Sequence, residues 1–119
     1  MEKKVRHNYK NLKIWIIAME IANDIFEITS KFPLEEKYSL TSQINRCAVS
    51  IPSNIAEGSA RTNKSFSHFI DISLGSSFEL VTQLIISQNR NYISQQKLEE
   101  MEYKIEEFPK MSFGFLKTL

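Results

Sequence analysis

Placed at about 100° per residue, the apolar residues between positions 11 and 31 fall into two neighbouring stripes. Leu12, Trp15, Ile16, Met19, Ala22 and Phe26 make one, and Ile14, Ile17, Ile21, Ile25 and Ile28 make the other. Lys13, Glu20, Asp24, Glu27 and Lys31 share the remaining arc. The apolar arc is roughly 200° wide, about twice what one buried face of a surface helix needs. A helix from Asn11 to Lys31 must therefore touch apolar surface on two sides. In a chain this short the second side is expected to be a neighbouring subunit, because an apolar patch of that size rarely stays exposed. The helix is expected to stop at Phe32-Pro33, since the residue before a proline is pushed out of the α region.

The same reading predicts three further helices. The second runs from Ser39, a suitable N-cap, to Gly58, a residue suited to the left-handed conformation that closes a helix. Leu40, Ile44, Cys47, Ala48, Ile51 and Ile55 form its core stripe, and Asn45, Val49, Pro52 and Ala56 form a small-residue side that another helix can approach. Pro52 inside it predicts a kink. The third, from Asn63 to Gln88 with Thr62 as cap, aligns Phe66, Phe69, Ile70, Ser73, Leu80, Val81 and Leu84; Gly75 in its middle costs about 1 kcal/mol relative to Ala and suggests a close helix crossing. The fourth begins near Ser94 and aligns Leu98, Met101, Ile105 and Phe108. Pro109 is expected to interrupt it, leaving residues 109–119 as a short helix or tail. Four helices with short connections predict one all-α domain over residues 1–119, an up-and-down antiparallel four-helix bundle preceded by a basic segment over residues 1–10.

Composition agrees with helices: three Gly and three Pro in 119 residues leave few tight turns for an all-β fold. Net charge is +1, so no global field draws the chain to a polyanion. The charge is nevertheless uneven: residues 1–10 hold Lys3, Lys4, Arg6 and Lys10 against Glu2, and residues 99–107 hold five Glu against Lys104. A single cysteine, Cys47, forms no intrachain disulfide and reads as a small buried hydrophobe in a reducing compartment. The longest apolar run, Ile14 to Met19, is too short to span a bilayer. A cytoplasmic protein without a membrane partner is the expectation.

Leu12-x-x-Trp15, Phe32-Pro33, Tyr38-x-Leu40-Thr41-Ser42-Gln43, Arg46, the run Ala48 to Gly58, Arg61, Phe66-x-x-Phe69 and Gly75-Ser76-x-x-Glu79-Leu80 together resemble the four-helix-bundle proteins of the 23S ribosomal RNA intervening-sequence family. The resemblance covers residues 9 to 93, and Ser50 to Gly58 is its most specific part. It implies a bacterial, cytoplasmic bundle that forms a ring-like homo-oligomer, a pentamer, without an established biochemical activity. Similar bundles serve as accessory proteins of diversity-generating retroelements, where they bind nucleic acid and a reverse transcriptase. Against that pattern, Asn45 stands where many relatives look basic and Leu74 where an Arg is common, which takes away two positive charges.

Two constellations are candidates for function. Gln43, Arg46, Ser50, Asn54 and Glu57 recur at spacings of three and four, so they line one side of the second helix. They read either as a groove that binds a polar ligand or partner peptide, or as a network that fixes helix register at a subunit interface. Lys3, Lys4, Arg6, Lys10 and Lys13, with His7 among them, read either as a solvated tail or as phosphate contacts repeated around a ring. No cofactor or metal is expected: neither His7 nor His68 has Glu three residues before it, and one Cys with two distant His makes a poor zinc site. Arg61 and His68 show a spacing resembling the Arg-x(4–6)-His signature of all-α HEPN ribonucleases, which keeps RNA cleavage as a remote alternative. The leading expectation is a non-enzymatic oligomeric scaffold for RNA or a ribonucleoprotein.

Overall fold

Leu12 adopts extended dihedrals, φ −76° and ψ 129°, and the first long helix starts behind it. In the computed structural model, which describes residues 7–119, four helices follow in order. They are α1 (Lys13–Thr29), α2 (Leu40–Ser59), α3 (Asn63–Asn89) and α4 (Gln95–Leu116), with short 3-10 turns at Tyr9–Asn11 and Leu34–Glu36. Lys3, Lys4 and Arg6 lie outside the described residues.

Side-chain pairings give the directions of the helices. Thr29 Oγ1 donates to Asn45 Oδ1 at 2.8 Å near the α1–α2 connection, while Trp15 and Ala56 share a groove at the far ends. Ser73 Oγ donates to the Ile51 carbonyl at 2.9 Å between α2 and α3. The Phe66 and Phe115 rings lie 5.5 Å apart between the start of α3 and the end of α4. Lys104 Nζ reaches Asp24 Oδ2 at 2.6 Å between α4 and α1. Each helix therefore runs against its sequence neighbour and α4 closes on α1. Among the described residues neither diagonal pair approaches closely, which is the up-and-down arrangement. The molecule measures 55 × 25 × 20 Å.

The core is drawn from one stripe of each helix: Ile14, Ile21 and Ile25, then Ile44, Ile51 and Ile55, then Phe66, Ile70, Leu80 and Leu84, then Met101, Ile105 and Phe108. The stripe of α1 from Leu12 to Phe26 is only partly in it: Ala22 is buried and Leu12 and Trp15 pack against the core, while Ile16 is 43% and Phe26 47% exposed. By length and composition α3 is apolar enough to cross a membrane, which a count of continuous apolar runs passes over. Here its Phe66, Ile70, Leu80 and Leu84 are buried, as in a helix that faces a bundle core. Its serines face inward too: Ser73, Ser77 and Ser87 are buried and bond to backbone carbonyls, so their small hydroxyls are satisfied where a larger side chain would hold α2 away.

Several local expectations are corrected. Ser39 precedes α2, but its hydroxyl donates to Glu36 Oε1 at 2.5 Å and does not cap the helix. Gly58 does not close α2 in a left-handed conformation; its φ is negative and the helix continues to Ser59. Its role is proximity, because a Cβ there would sit 2.7 Å from Phe69 Cβ and 2.8 Å from Phe66 Cδ1. Gly75 marks no close crossing within the chain, having nothing within 4 Å of its Cβ position. α2 runs unbroken through Pro52, and α4 through Pro109 to Leu116, so residues 109–116 continue the fourth helix. An interior proline costs about 3 kcal/mol. Beyond Pro109, Met111, Phe115 and Leu116 pack partly buried against the core; full burial of one large apolar side chain contributes about 1.5–3 kcal/mol, so three partial burials together offset that cost. The one left-handed residue is Asn91, φ 64°, among the described positions. Its N–H bonds to the Gln88 carbonyl and the Tyr92 N–H to the Ser87 carbonyl, both at 2.9 Å, closing α3 in a Schellman turn.

Candidate nucleic-acid interface

Up-and-down topology brings the start of α1, the end of α2, the start of α3 and the end of α4 to one end of the bundle. An aromatic cluster closes that end. The His7 ring packs on Phe66 at 5.2 Å and on Phe115 at 5.7 Å, and the His7 N–H donates to the Ser59 carbonyl at 3.4 Å. Tyr9 stacks edge-on with Trp15 at 5.4 Å. Around these rings stand the cations. Lys10 leans toward the Tyr9 ring at 6.0 Å, Arg61 lies over the Phe69 ring at 5.2 Å, and Lys13, Lys64 and Lys117 are exposed on the adjoining turns.

Glu57 is the acid set among them, 3.3 Å from Arg61 Nη2. Both partners are about half exposed, so the pair contributes only about 0.3–0.5 kcal/mol and leaves Arg61 free to turn to another anion. At the opposite end Glu27, Glu35, Glu36, Glu99 and Glu100 are interleaved with Lys31, Lys37, Arg90 and Lys97. A chain of net charge +1 thus gathers positive charge at one end of the bundle, and the charges there act on solvent over about a Debye length, about 8 Å at physiological salt. Of the sequence candidates, Lys10 and Lys13 belong to this end. Arg61, Lys64 and Lys117 join them without having been singled out as binders, although the topology alone places all five together.

The polar side of α2 divides. Ser50 Oγ donates to the Cys47 carbonyl at 2.6 Å and meets Ser76 Oγ at 2.8 Å, and Asn54 Nδ2 donates to the Ser50 carbonyl at 2.8 Å. Glu57 pairs with Arg61, so among the described residues no bonded chain links Arg46 to Glu57. Gln43 and Arg46 are exposed and share an open depression with Cys47, Ser50 and Glu79. Burial pushes the Cys47 thiol up to about 12, the Glu79 carboxylate adding to the effect, and a thiol so held is a poor nucleophile near neutral pH. His68 is exposed and packs on Phe69 at 6.0 Å, the ring that Arg61 also covers. Among the described residues no group of three His, Cys, Asp or Glu gathers to hold a metal ion.

Other features complete the surface. A cleft of about 250 Å³ opens between α1 and α4, with Ile28 and Met101 in its wall and Glu27, Lys31, Lys97 and Glu100 at its rim. Beside it Tyr92 Oη donates to Glu36 Oε2 at 2.7 Å, tying the two connections at that end of the bundle. Two apolar faces lie open. One is the α1–α2 groove formed by Trp15, Met19, Phe26, Val49, Pro52 and Ala56. The other is the outer side of α3, where Ile72, Phe78, Ile85 and Ile86 are 41–58% exposed around Gly75.

The profile of the 23S rRNA-intervening sequence protein family matches residues 10–114. A crystal structure of a protein of unknown function from the S23 ribosomal protein family of Bacteroides thetaiotaomicron superposes with a TM-score of 0.79 at 24% sequence identity, over 87% of this chain and 95% of that one. At that identity the similarity speaks for the fold alone. No curated protein matches the chain.

Proposed function

The chain belongs to the 23S rRNA-intervening sequence protein family, and on that premise we propose that it is a self-associating, non-enzymatic scaffold that binds RNA or a ribonucleoprotein. The observation that carries this reading is the basic end of the bundle: Lys10, Lys13, Arg61, Lys64 and Lys117 around a closed aromatic cluster, with Glu57 the lone acid among these turns. Cations so arranged neutralise phosphates without reading bases, since phosphate contacts position a protein and base contacts specify a sequence.

Self-association supports the reading because it multiplies the basic ends. Each open apolar face leaves large side chains about half exposed, Phe26 at 47% on one and Phe78 at 58% on the other, and contiguous apolar patches on a monomer are often functional. An apolar patch with a polar rim is the anatomy of a protein–protein interface. The two faces differ, so copies joined one face to the other meet head to tail, an arrangement that forms a ring where the rotation closes and a filament where it does not. Five subunits is the number implied by resemblance. A ring holds several basic ends in fixed relation and raises avidity without new contacts.

The test is fluorescence anisotropy of a labelled RNA hairpin against the intact assembly as salt is raised. Binding is expected to fall log-linearly with salt, by about 10³–10⁵ between 50 and 200 mM if 6–10 phosphates are contacted. Arg61→Gln with Lys64→Gln should weaken binding equally for unrelated hairpins and lower the salt slope by about 1–2. Binding that is absent, or indifferent to salt, overturns the proposal.

A further inference from the structure

Phe69 is an aromatic residue at the basic end that the closed cluster does not absorb. Phe66, one turn earlier on α3, is fully buried against His7 and Phe115, whereas Phe69 is half-buried. A Cβ at Gly58 would lie 2.7 Å from Phe69 Cβ and 3.2 Å from its Cγ, so the Phe69 side chain is clamped at its root where α2 and α3 meet. Two groups then dress the ring. Arg61 lies over it at 5.2 Å from the centroid, and the His68 ring meets it nearly edge-on at 6.0 Å. Arg61 Nη2 engages Glu57 Oε1 at 3.3 Å, yet both side chains remain about half exposed. A guanidinium held on one side by an aromatic face and in its plane by a carboxylate leaves its other flat face to solvent. Arg61 also lines an open depression of about 420 Å³ with Glu57, Ala60, Thr62 and Ser65. A site that gripped only phosphates would be opposed by Glu57. A planar surface beside a carboxylate suits a nucleobase: every base has a π-face that stacks on aromatic rings and guanidinium planes, and a carboxylate, which only accepts, matches the N–H donors on a base edge. In a duplex those faces are already stacked on their neighbours, so the surface serves an unpaired nucleotide.

We infer that the Phe69–Arg61 pair, flanked by His68, is a stacking platform for an unpaired RNA base, so that the basic end takes single-stranded RNA, a loop or a free end, in preference to duplex. The inference rests on the function proposed above and names the class of RNA it acts on. The guanidinium works in two directions. Its flat face takes the base, and the N–H donors that Glu57 leaves unused remain for a phosphate of the same strand. Stacking is tolerant of base identity, so the platform selects strandedness and not sequence.

The experiment measures the anisotropy of two labelled probes, an unstructured single-stranded RNA and a blunt RNA duplex with the same number of phosphates. The full chain is used as wild type, Phe69→Leu, Phe69→Tyr and Arg61→Lys. Wild type should bind the single strand more tightly than the duplex. Phe69→Leu keeps an apolar side chain on the same Cβ but has no ring. It should weaken single-strand binding roughly 5- to 100-fold with the salt slope changed by less than about 1, a circular-dichroism melt reporting its fold. Phe69→Tyr keeps the ring and should bind as wild type does. Arg61→Lys keeps the charge without the plane, so it should lose the preference for single strand at an unaltered salt slope. Because Arg61 is about half exposed, this variant tests the platform even where Phe69→Leu weakens the fold. Wild-type single-strand affinity in both Phe69→Leu and Arg61→Lys overturns the inference, as does a wild type that binds duplex and single strand equally. An equal loss on both probes in Phe69→Leu also overturns it, by showing that the ring only holds Arg61 in place. Each of these leaves the basic-end scaffold standing, whereas a wild type that binds neither probe removes both readings.

Discussion

Gly58→Ala and Gly75→Ala add the same methyl group to two packed helices, and the structure gives them opposite signs. At Gly58 the new Cβ would lie 2.7 Å from Phe69 Cβ and 2.8 Å from Phe66 Cδ1, where carbon atoms prefer about 3.5–4.0 Å. Phe69 Cβ is bonded to the α3 backbone, so no rotamer change relieves that contact. Phe66 is fully buried and has little room to give. Helices α2 and α3 must move apart, an overpacking cost of about 1–3 kcal/mol, and the double clash favours the upper part of that range. Alanine returns about 1 kcal/mol in helix propensity, leaving a net loss of about 1–2 kcal/mol. At Gly75 nothing of the same chain lies within 4 Å, so in the isolated chain only the propensity gain remains, about 0.5–1 kcal/mol. For a chain of this length these values correspond to a Tm lowered by about 4–10 °C for Gly58→Ala and raised by about 2–5 °C for Gly75→Ala. Urea titration followed by far-ultraviolet circular dichroism, at one fixed protomer concentration because assembly shifts apparent stability, measures both. A Gly58→Ala protein as stable as wild type, or a monomeric Gly75→Ala protein less stable than the wild-type monomer, would refute the packing argument.

Phe26→Asp blocks the α1–α2 face and Phe78→Asp the α3 face. Each alone should reduce the assembly to monomers, while an equimolar mixture should give a dimer, because each variant retains the face the other lacks; native mass spectrometry reads this directly, and wild-type mass from both single variants would sink the head-to-tail scheme. Tyr92→Phe removes the hydroxyl that holds Glu36. The Ser39 hydroxyl first, and then Tyr92, holds the Glu36 carboxyl below its usual 4.5, so this contribution to stability is present above that value and is lost as pH falls through the folded-state pKa. The bond to Glu36 raises Tyr92 above its usual 10.0, so its contribution is present below 10.0 and is lost as pH rises through the higher folded value. The Tm gap between wild type and Tyr92→Phe should therefore be widest from about pH 5 to pH 9 and close at both extremes. A gap undiminished at a pH low enough to protonate Glu36 in the folded protein would show that the carboxylate plays no part.

Helix existence, core stripes and bundle order were legible in the sequence because each follows from a period that only a helix satisfies. The details that failed share one cause: a residue type allows more than one use, and only its neighbours choose between them. Gly58 suits a left-handed cap, but Phe66 and Phe69 from another helix require it to be small where the backbone is still helical. Gly75 suits a crossing, but no helix of the same chain lies there. Pro109 suits a stop, but the apolar positions beyond it lie on the same stripe as Phe108, so the chain remains helical to bury them. Asn91, by contrast, does take the left-handed position, at a turn the sequence pattern located without assigning its geometry.

The basic end of the bundle follows the same logic. Spacing along one helix finds a row such as Gln43 to Glu57, because i, i+3 and i+4 neighbours are local. That row looked continuous, yet Ser50 turns to Ser76, Asn54 to the Ser50 carbonyl and Glu57 to Arg61. Lys10, Arg61 and Lys117 are distant in sequence and share no period, so no windowed pattern connects them. What joins them is the alternation of helix direction, which returns the chain to one end at every second connection. In a bundle whose net charge is nearly zero, the distribution of charge between the two ends carries the electrostatic information, and it becomes readable only once the helices have been given their directions. Moving Arg61 and Lys64 to the opposite end, with the composition unchanged, should keep the pI and the core and weaken the phosphate binding proposed for the basic end.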